Sequence, residues 1–80
     1  MEILHIYGQG SWHDDAEIVG VEETLKLLRD AIDKALAIKG LTQTFNVFCN
    51  DGEGYKVIVH CEDEKTLDSL ETPYHEDYTQ

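Results

Sequence analysis

One run constrains this chain more than any other: residues 21–40, VEETLKLLRDAIDKALAIKG. Here Val21, Leu25, Leu28, Ile32, Ala35 and Leu36 recur at spacings of three and four. That period places the apolar side chains on one stripe of an α-helix and the charged ones on the other side. A helix of this kind is stable in water only when its stripe lies on another apolar surface, so the rest of the chain must supply one. The ends carry matching signals. Gly20 is the expected N-cap, Glu22 and Glu23 complement the positive end of the helix dipole, Lys39 complements the negative end, and Gly40 is the expected left-handed residue at C′.

The flanking segments read as strands. Glu2–Tyr7 is rich in strand formers and is stopped by Gly8 and Gly10, and residues 15–19, DAEIV, form a second short candidate. After the helix, TQTFNVFC puts Phe45, Val47 and Cys49 on one face, and YKVIVHC does the same for Tyr55, Val57, Val59 and Cys61. NDGEG between them is a turn. The predicted fold is α+β: a small antiparallel sheet in the order β-β-α-β-β, with one long amphipathic helix on one face. Residues 1–71 form a single domain, EDEKTLDSL within it a short helical turn, and residues 72–80 a polar tail. The first strand presents Leu4 and Ile6 to one side and Ile3 and Tyr7 to the other, whereas one helix covers only one face. A second copy of the chain is therefore the expected cover for the other.

Charge narrows the function classes. The 80 residues carry 17 Asp and Glu against 6 Lys and Arg, a formal charge of -11, and this field repels nucleic acid backbones and anionic membranes. Direct nucleic-acid binding and membrane binding are not expected. The start MEILHIYG is too short and too soon broken by glycine for a signal peptide, and no twenty-residue apolar run follows, so the expected location is the cytoplasm.

Two cysteines and four histidines raise the question of chemistry. Across the predicted hairpin, Cys49 and Cys61 lie at opposite ends, roughly 20 Å apart at strand rise, so they read as reduced, buried side chains rather than a disulfide. His5, His13, His60 and His75 lack the spacing of a zinc or calcium site, and no metal or cofactor is expected. His5 and His60 read as sheet residues, and His75 as solvated. Ser11, His13 and Asp14 or Asp15 hold the letters of a triad, but adjacent residues rarely assemble one, and GQGSW is not a nucleophile elbow. Were the protein an enzyme, His13 with a nearby carboxylate would be its acid–base pair; the expectation is that it is not one.

Binding suits the loops better. Gly8, Gln9, Gly10, Ser11, Trp12 and His13 in the first loop, with Asp51, Gly52, Glu53, Gly54 and Tyr55 in the second, form the expected ligand-binding set. The glycines let backbone N–H groups approach a ligand, Trp12 and Tyr55 offer flat faces, and His13 donates a hydrogen bond. The start of the helix also resembles an anion site, although Glu22 and Glu23 already occupy its first turn. An equally open reading makes GQGSWHDD a hairpin loop whose Trp12 plugs the edge of the core.

The segment HDDAEIVG running directly into the helix, together with DGEGY at the hairpin, resembles a group of small phage and prophage proteins over roughly residues 3–60. Compact phage proteins of this size include oligomeric sponges that sequester nucleotide signals of bacterial defence. The resemblance thus implies a non-enzymatic, anti-defence homo-oligomer in the host cytoplasm, holding a small nucleotide-derived ligand at pockets between copies. The strong negative charge departs from what a phosphorylated ligand favours. The alternative is an acidic nucleic-acid mimic that inhibits a host nuclease or DNA-binding protein through Asp14, Asp15, Glu22, Glu23 and Glu62–Glu64.

Overall fold

A computed structural model describes residues 2–11 and 13–73. The elements follow the order β1 (Leu4–Tyr7), β2 (Glu17–Gly20), α1 (Glu22–Ala37), β3 (Gln43–Phe48), β4 (Gly54–Val59) and α2 (Glu64–Asp68). The fold is the α+β arrangement expected, with the short helical turn realised as α2. The single sheet is instead two antiparallel hairpins. In one, β1 pairs β2 with Leu4 opposite Gly20 and Tyr7 opposite Glu17; in the other, β3 pairs β4 with Gln43 opposite Val59 and Phe48 opposite Gly54. They meet at one parallel bridge, Ile3 to Phe48, where the Phe48 N–H donates to the Glu2 carbonyl at 2.9 Å.

Period-two alternation on β3 and β4 sends Val47 and Val57 into the core, with Phe45, Tyr55 and Val59 half-buried on the same face, while Thr44, Asn46, Lys56 and Ile58 point to solvent. Leu4 completes the centre with Val47 and Val57, and Leu28 of α1 packs on this cluster. The open face of the second hairpin is thus mainly polar, and the apolar surface left open lies on the first hairpin, at Ile6, Tyr7, Ile18 and Val19, as its first strand suggested, and on α1.

The helix buries Thr24, Ala31 and Ala35, while Val21 is 47%, Leu25 42%, Ile32 42% and Leu36 55% exposed. Its contact stripe is rotated about a quarter-turn from the one its largest side chains define. Small side chains let the helix backbone come close to the strands, and the first turn shows how close. A Cβ on Gly20 would stand 2.5 Å from Thr24 Oγ1 and 2.7 Å from Leu4 Cδ1. The fully buried Thr24 hydroxyl donates to the Ile3 carbonyl at 2.8 Å, with the Val21 carbonyl also in reach at 3.0 Å. Gly20 is therefore not the N-cap: it ends β2, where its bare Cα admits the helix, and Val21 caps α1 through backbone conformation with no side-chain hydrogen bond. At the other end Ile38 is the C-cap, so Lys39 stands at C′, and Gly40, left-handed as expected with φ +91°, falls one residue later at C″.

Candidate functional site

The β3–β4 turn builds one side of a hollow. The Gly52 N–H donates to the Cys49 carbonyl at 3.1 Å and the Cys49 N–H to the Glu53 carbonyl at 2.8 Å, closing a tight loop that needs Gly52 at φ +91°. The Asp51 carboxylate accepts from the Glu53 N–H at 2.9 Å, which holds Asn50 and Asp51 outward. Opposite stands β1. Its residues His5, Ile6 and Tyr7, together with Cys49, Asn50, Asp51 and Tyr55, enclose about 420 Å³.

Two side-chain links fix the hollow's walls across the hairpin junction. The Tyr55 hydroxyl donates to the Leu4 carbonyl. Partial burial, and next to it the Cys49 thiol, push the Tyr55 phenol above its ordinary value, so it keeps the proton it donates. His5 bridges in the other direction: its Nε2 accepts from the Asn50 N–H at 3.1 Å, and its Nδ1 lies 2.8 Å from the Tyr7 hydroxyl. An Nε2 that accepts carries no proton, so the ring is the Nδ1–H tautomer and donates to Tyr7. The His5 and Tyr7 rings meet edge to face with centroids 5.7 Å apart. The resulting wall offers aromatic edges, a phenol and a carboxylate, and no Lys or Arg lines it among the described residues.

The structure divides the expected binding set. Asp51 and Tyr55 line the hollow, while Gly52, Glu53 and Gly54 shape the turn beneath it, Gly54 lying against the Phe48 ring. Gly8, Gln9, Gly10, Ser11 and His13 lie outside the lining, in a bend that closes on itself. There the Asp14 carboxylate accepts from the Ser11 N–H at 3.0 Å and the Ser11 hydroxyl at 2.9 Å, the Asp14 N–H donates to the Ser11 carbonyl at 3.2 Å, and His13 adopts φ 62°. Gly8, Gly10, Ser11 and His13 are exposed, and the Gln9 Oε1 is shielded from solvent without a hydrogen-bond partner. Trp12, on which both readings of the loop turned, lies outside the described residues, as does His75.

Sequence reasoning missed His5, Tyr7 and Asn50 as site residues. Period two puts His5 and Tyr7 on one face of β1, which was the available signal. It also missed a second, more apolar groove of about 530 Å³, where Ile32 and Leu36 of α1 face Val59, Cys61, and Leu67 and Leu70 in and after α2. The cysteines are half-buried rather than buried: Cys49 sits in the hollow, Cys61 in the groove, and neither is disulfide-bonded. His60 and Glu62 also line the groove, and His60 Nδ1 lies 3.3 Å from the Thr42 hydroxyl and 4.0 Å from Glu62. Among the described residues no group of three or more His, Cys, Asp or Glu converges as metal ligands, and no helix is long and apolar enough to cross a membrane. No protein-family model matches the chain, and no curated protein or solved structure matches it.

Proposed function

We propose that this chain is a non-enzymatic small-ligand-binding protein acting as a homo-oligomer, with the hollow between β1 and the β3–β4 turn as its ligand seat. The supporting observation is the wall of His5, Tyr7 and Tyr55, three rings fixed by hydrogen bonds to backbone or to one another, beside the outward Asp51 carboxylate. A flat ring stacks on such a wall, and its N–H or O–H groups find acceptors there. With no Lys or Arg in the lining among the described residues, a phosphate is poorly matched to the hollow. The favoured ligand therefore enters by a nucleobase or ribose and leaves any phosphate toward solvent. The resemblance to small phage proteins makes a nucleotide-derived defence signal, sequestered in the bacterial host cytoplasm, the leading class.

Titration calorimetry with adenosine, ADP-ribose and cyclic oligonucleotides tests this. One of them binds, and Tyr7→Ala weakens it at least about tenfold, the loss of roughly one stacking contact. Silence from all three classes overturns the reading.

The acidic-mimic alternative keeps one specific support: every acidic residue among those described is exposed, and Lys and Arg ion pairs there engage only Glu22 and Asp30. It is distinguished by a complex with a basic protein whose affinity falls steeply with salt and is indifferent to Tyr7→Ala.

A further inference from the structure

We propose that the protein is a two-fold dimer in which the α1 helices of two copies pack antiparallel, each laying Val21 and Leu25 into the other's groove between α1 and α2. The inference rests on the reading that the chain assembles with itself, and is independent of the ligand.

The first argument is a deficit of core. The only large apolar side chains buried among the described residues are Leu4, Val47 and Val57, joined by Ala31 and Ala35, whereas Val21, Leu25, Ile32 and Leu36 stand open along one flank of α1. A domain this small gains little margin from such a core alone.

The second argument is self-complementarity. Val21, Leu25, Ile32 and Leu36 are separated by four, seven and four residues, a spacing that reads the same in both directions. An isologous contact between antiparallel helices requires such a pattern, because residue i meets residue j and j meets i. Here Val21 opposes the partner's Leu36, and Leu25 the partner's Ile32. Arg29, near the centre of the stripe, enters with its charge offset by Asp30, 3.1 Å away.

The third argument is fit and area. Ile32 and Leu36 already form one wall of the groove of about 530 Å³, with Leu67 and Leu70 across from them. The side chains that meet this wall under the two-fold are the partner's Val21 and Leu25, apolar groups that occupy part of it. A half-exposed Val, Ile or Leu leaves on the order of 80 Å² of apolar surface open. Val21, Leu25, Ile32, Leu36, Leu67 and Leu70 together offer roughly 500 Å² per copy, about the apolar share of a standard interface of ~800 Å² per partner.

The test is solution mass by light scattering at tens of micromolar, on the full chain, with helical content followed by circular dichroism. Wild type is expected at twice the chain mass of 9.1 kDa. Leu25→Glu/Ile32→Glu falls to the monomer mass, Ile18→Glu, an exposed β2 residue outside the proposed contact, remains dimeric, and Leu25→Glu/Ile32→Glu mixed with Leu25→Lys/Ile32→Lys re-forms a dimer through the opposed charges. A monomeric wild type overturns self-assembly and this interface together. A dimeric wild type that Leu25→Glu/Ile32→Glu leaves intact overturns only the interface. Should the double variant lose its helical signal, the single change Leu36→Gln reads the same surface: dimerisation at least about tenfold weaker supports the proposal, and unchanged dimerisation overturns it.

Discussion

The two hairpins of this protein are built from similar residues and reach different ends. The second pairs β3 with β4 over Gln43–Phe48 and Gly54–Val59, presents a clean apolar face to α1, and keeps its other face mainly polar. The first pairs β1 with β2 over four residues each and buries only Leu4 fully; Ile6, Tyr7, Ile18 and Val19 are all exposed. The second hairpin and helix make a self-consistent layer pair. The first is attached to them by a few discrete links: Leu4 in the core, the Thr24 hydroxyl on the Ile3 carbonyl, the Tyr55 hydroxyl on the Leu4 carbonyl, and His5 on the Asn50 N–H. Strand formers alone do not dock a hairpin; it docks where single side chains from another element reach its backbone.

The largest break in this comparison comes from Leu4→Ala. It removes the one fully buried side chain of the first hairpin from a cluster shared with Val47 and Val57, and is expected to cost about 3 kcal/mol in chemical denaturation. Hydrogen exchange should then show β1 and β2 losing protection while β3 and β4 keep theirs; uniform loss across both hairpins would mean that they fold as one unit.

Next is Gly20→Ala. The added Cβ would overlap Thr24 Oγ1 and Leu4 Cδ1, so the start of α1 must lift from β1, at about 2 kcal/mol. Thr24→Val keeps the shape and loses the donation to Ile3, at about 1 kcal/mol. If Gly20→Ala is neutral, α1 does not approach β1 as closely as described.

The smallest effect is alkaline. Tyr55 has a phenol raised above its ordinary value of 10.0, so the unfolded chain releases this proton first. The stabilisation is fully present below the ordinary value and is lost as pH rises through it toward the folded-state value. The Tyr55 link to Leu4 should therefore survive past the ordinary value of 10.0 and fail only as pH rises through the higher folded-state value, seen as loss of β1 amide protection that Tyr55→Phe already shows at neutral pH. A β1 indifferent to both would assign its attachment to Leu4 packing alone.

Much of the fold was legible because the signals are local. The β3–β4 turn follows from NDGEG, with Gly52 in the left-handed region where a glycine is favoured. The site was legible only in part. Asp51 and Tyr55 were in view because loops with glycine and aromatic residues suggest ligands, yet their neighbours His5 and Tyr7 come from a strand 44 and more residues away in sequence, and the His5 to Asn50 bond spans 45. GQGSWHDD carried as many chemical letters as any segment, and its described residues spend them on their own turn, Ser11 with Asp14.

The sequence by itself determined the kinds of element, their order and their turns, because period, glycine placement and alternation act within a few residues. Only the tertiary structure decided which flank of α1 meets the strands. Periodicity pointed to the stripe of Val21, Leu25, Leu28, Ile32, Ala35 and Leu36; Leu28 and Ala35 do pack inward, but Thr24 and Ala31 are buried beside them against the bare Gly20 end, and Val21, Leu25, Ile32 and Leu36 stay exposed. Close approach depends on the sizes of groups on both partners, and no single segment carries that information.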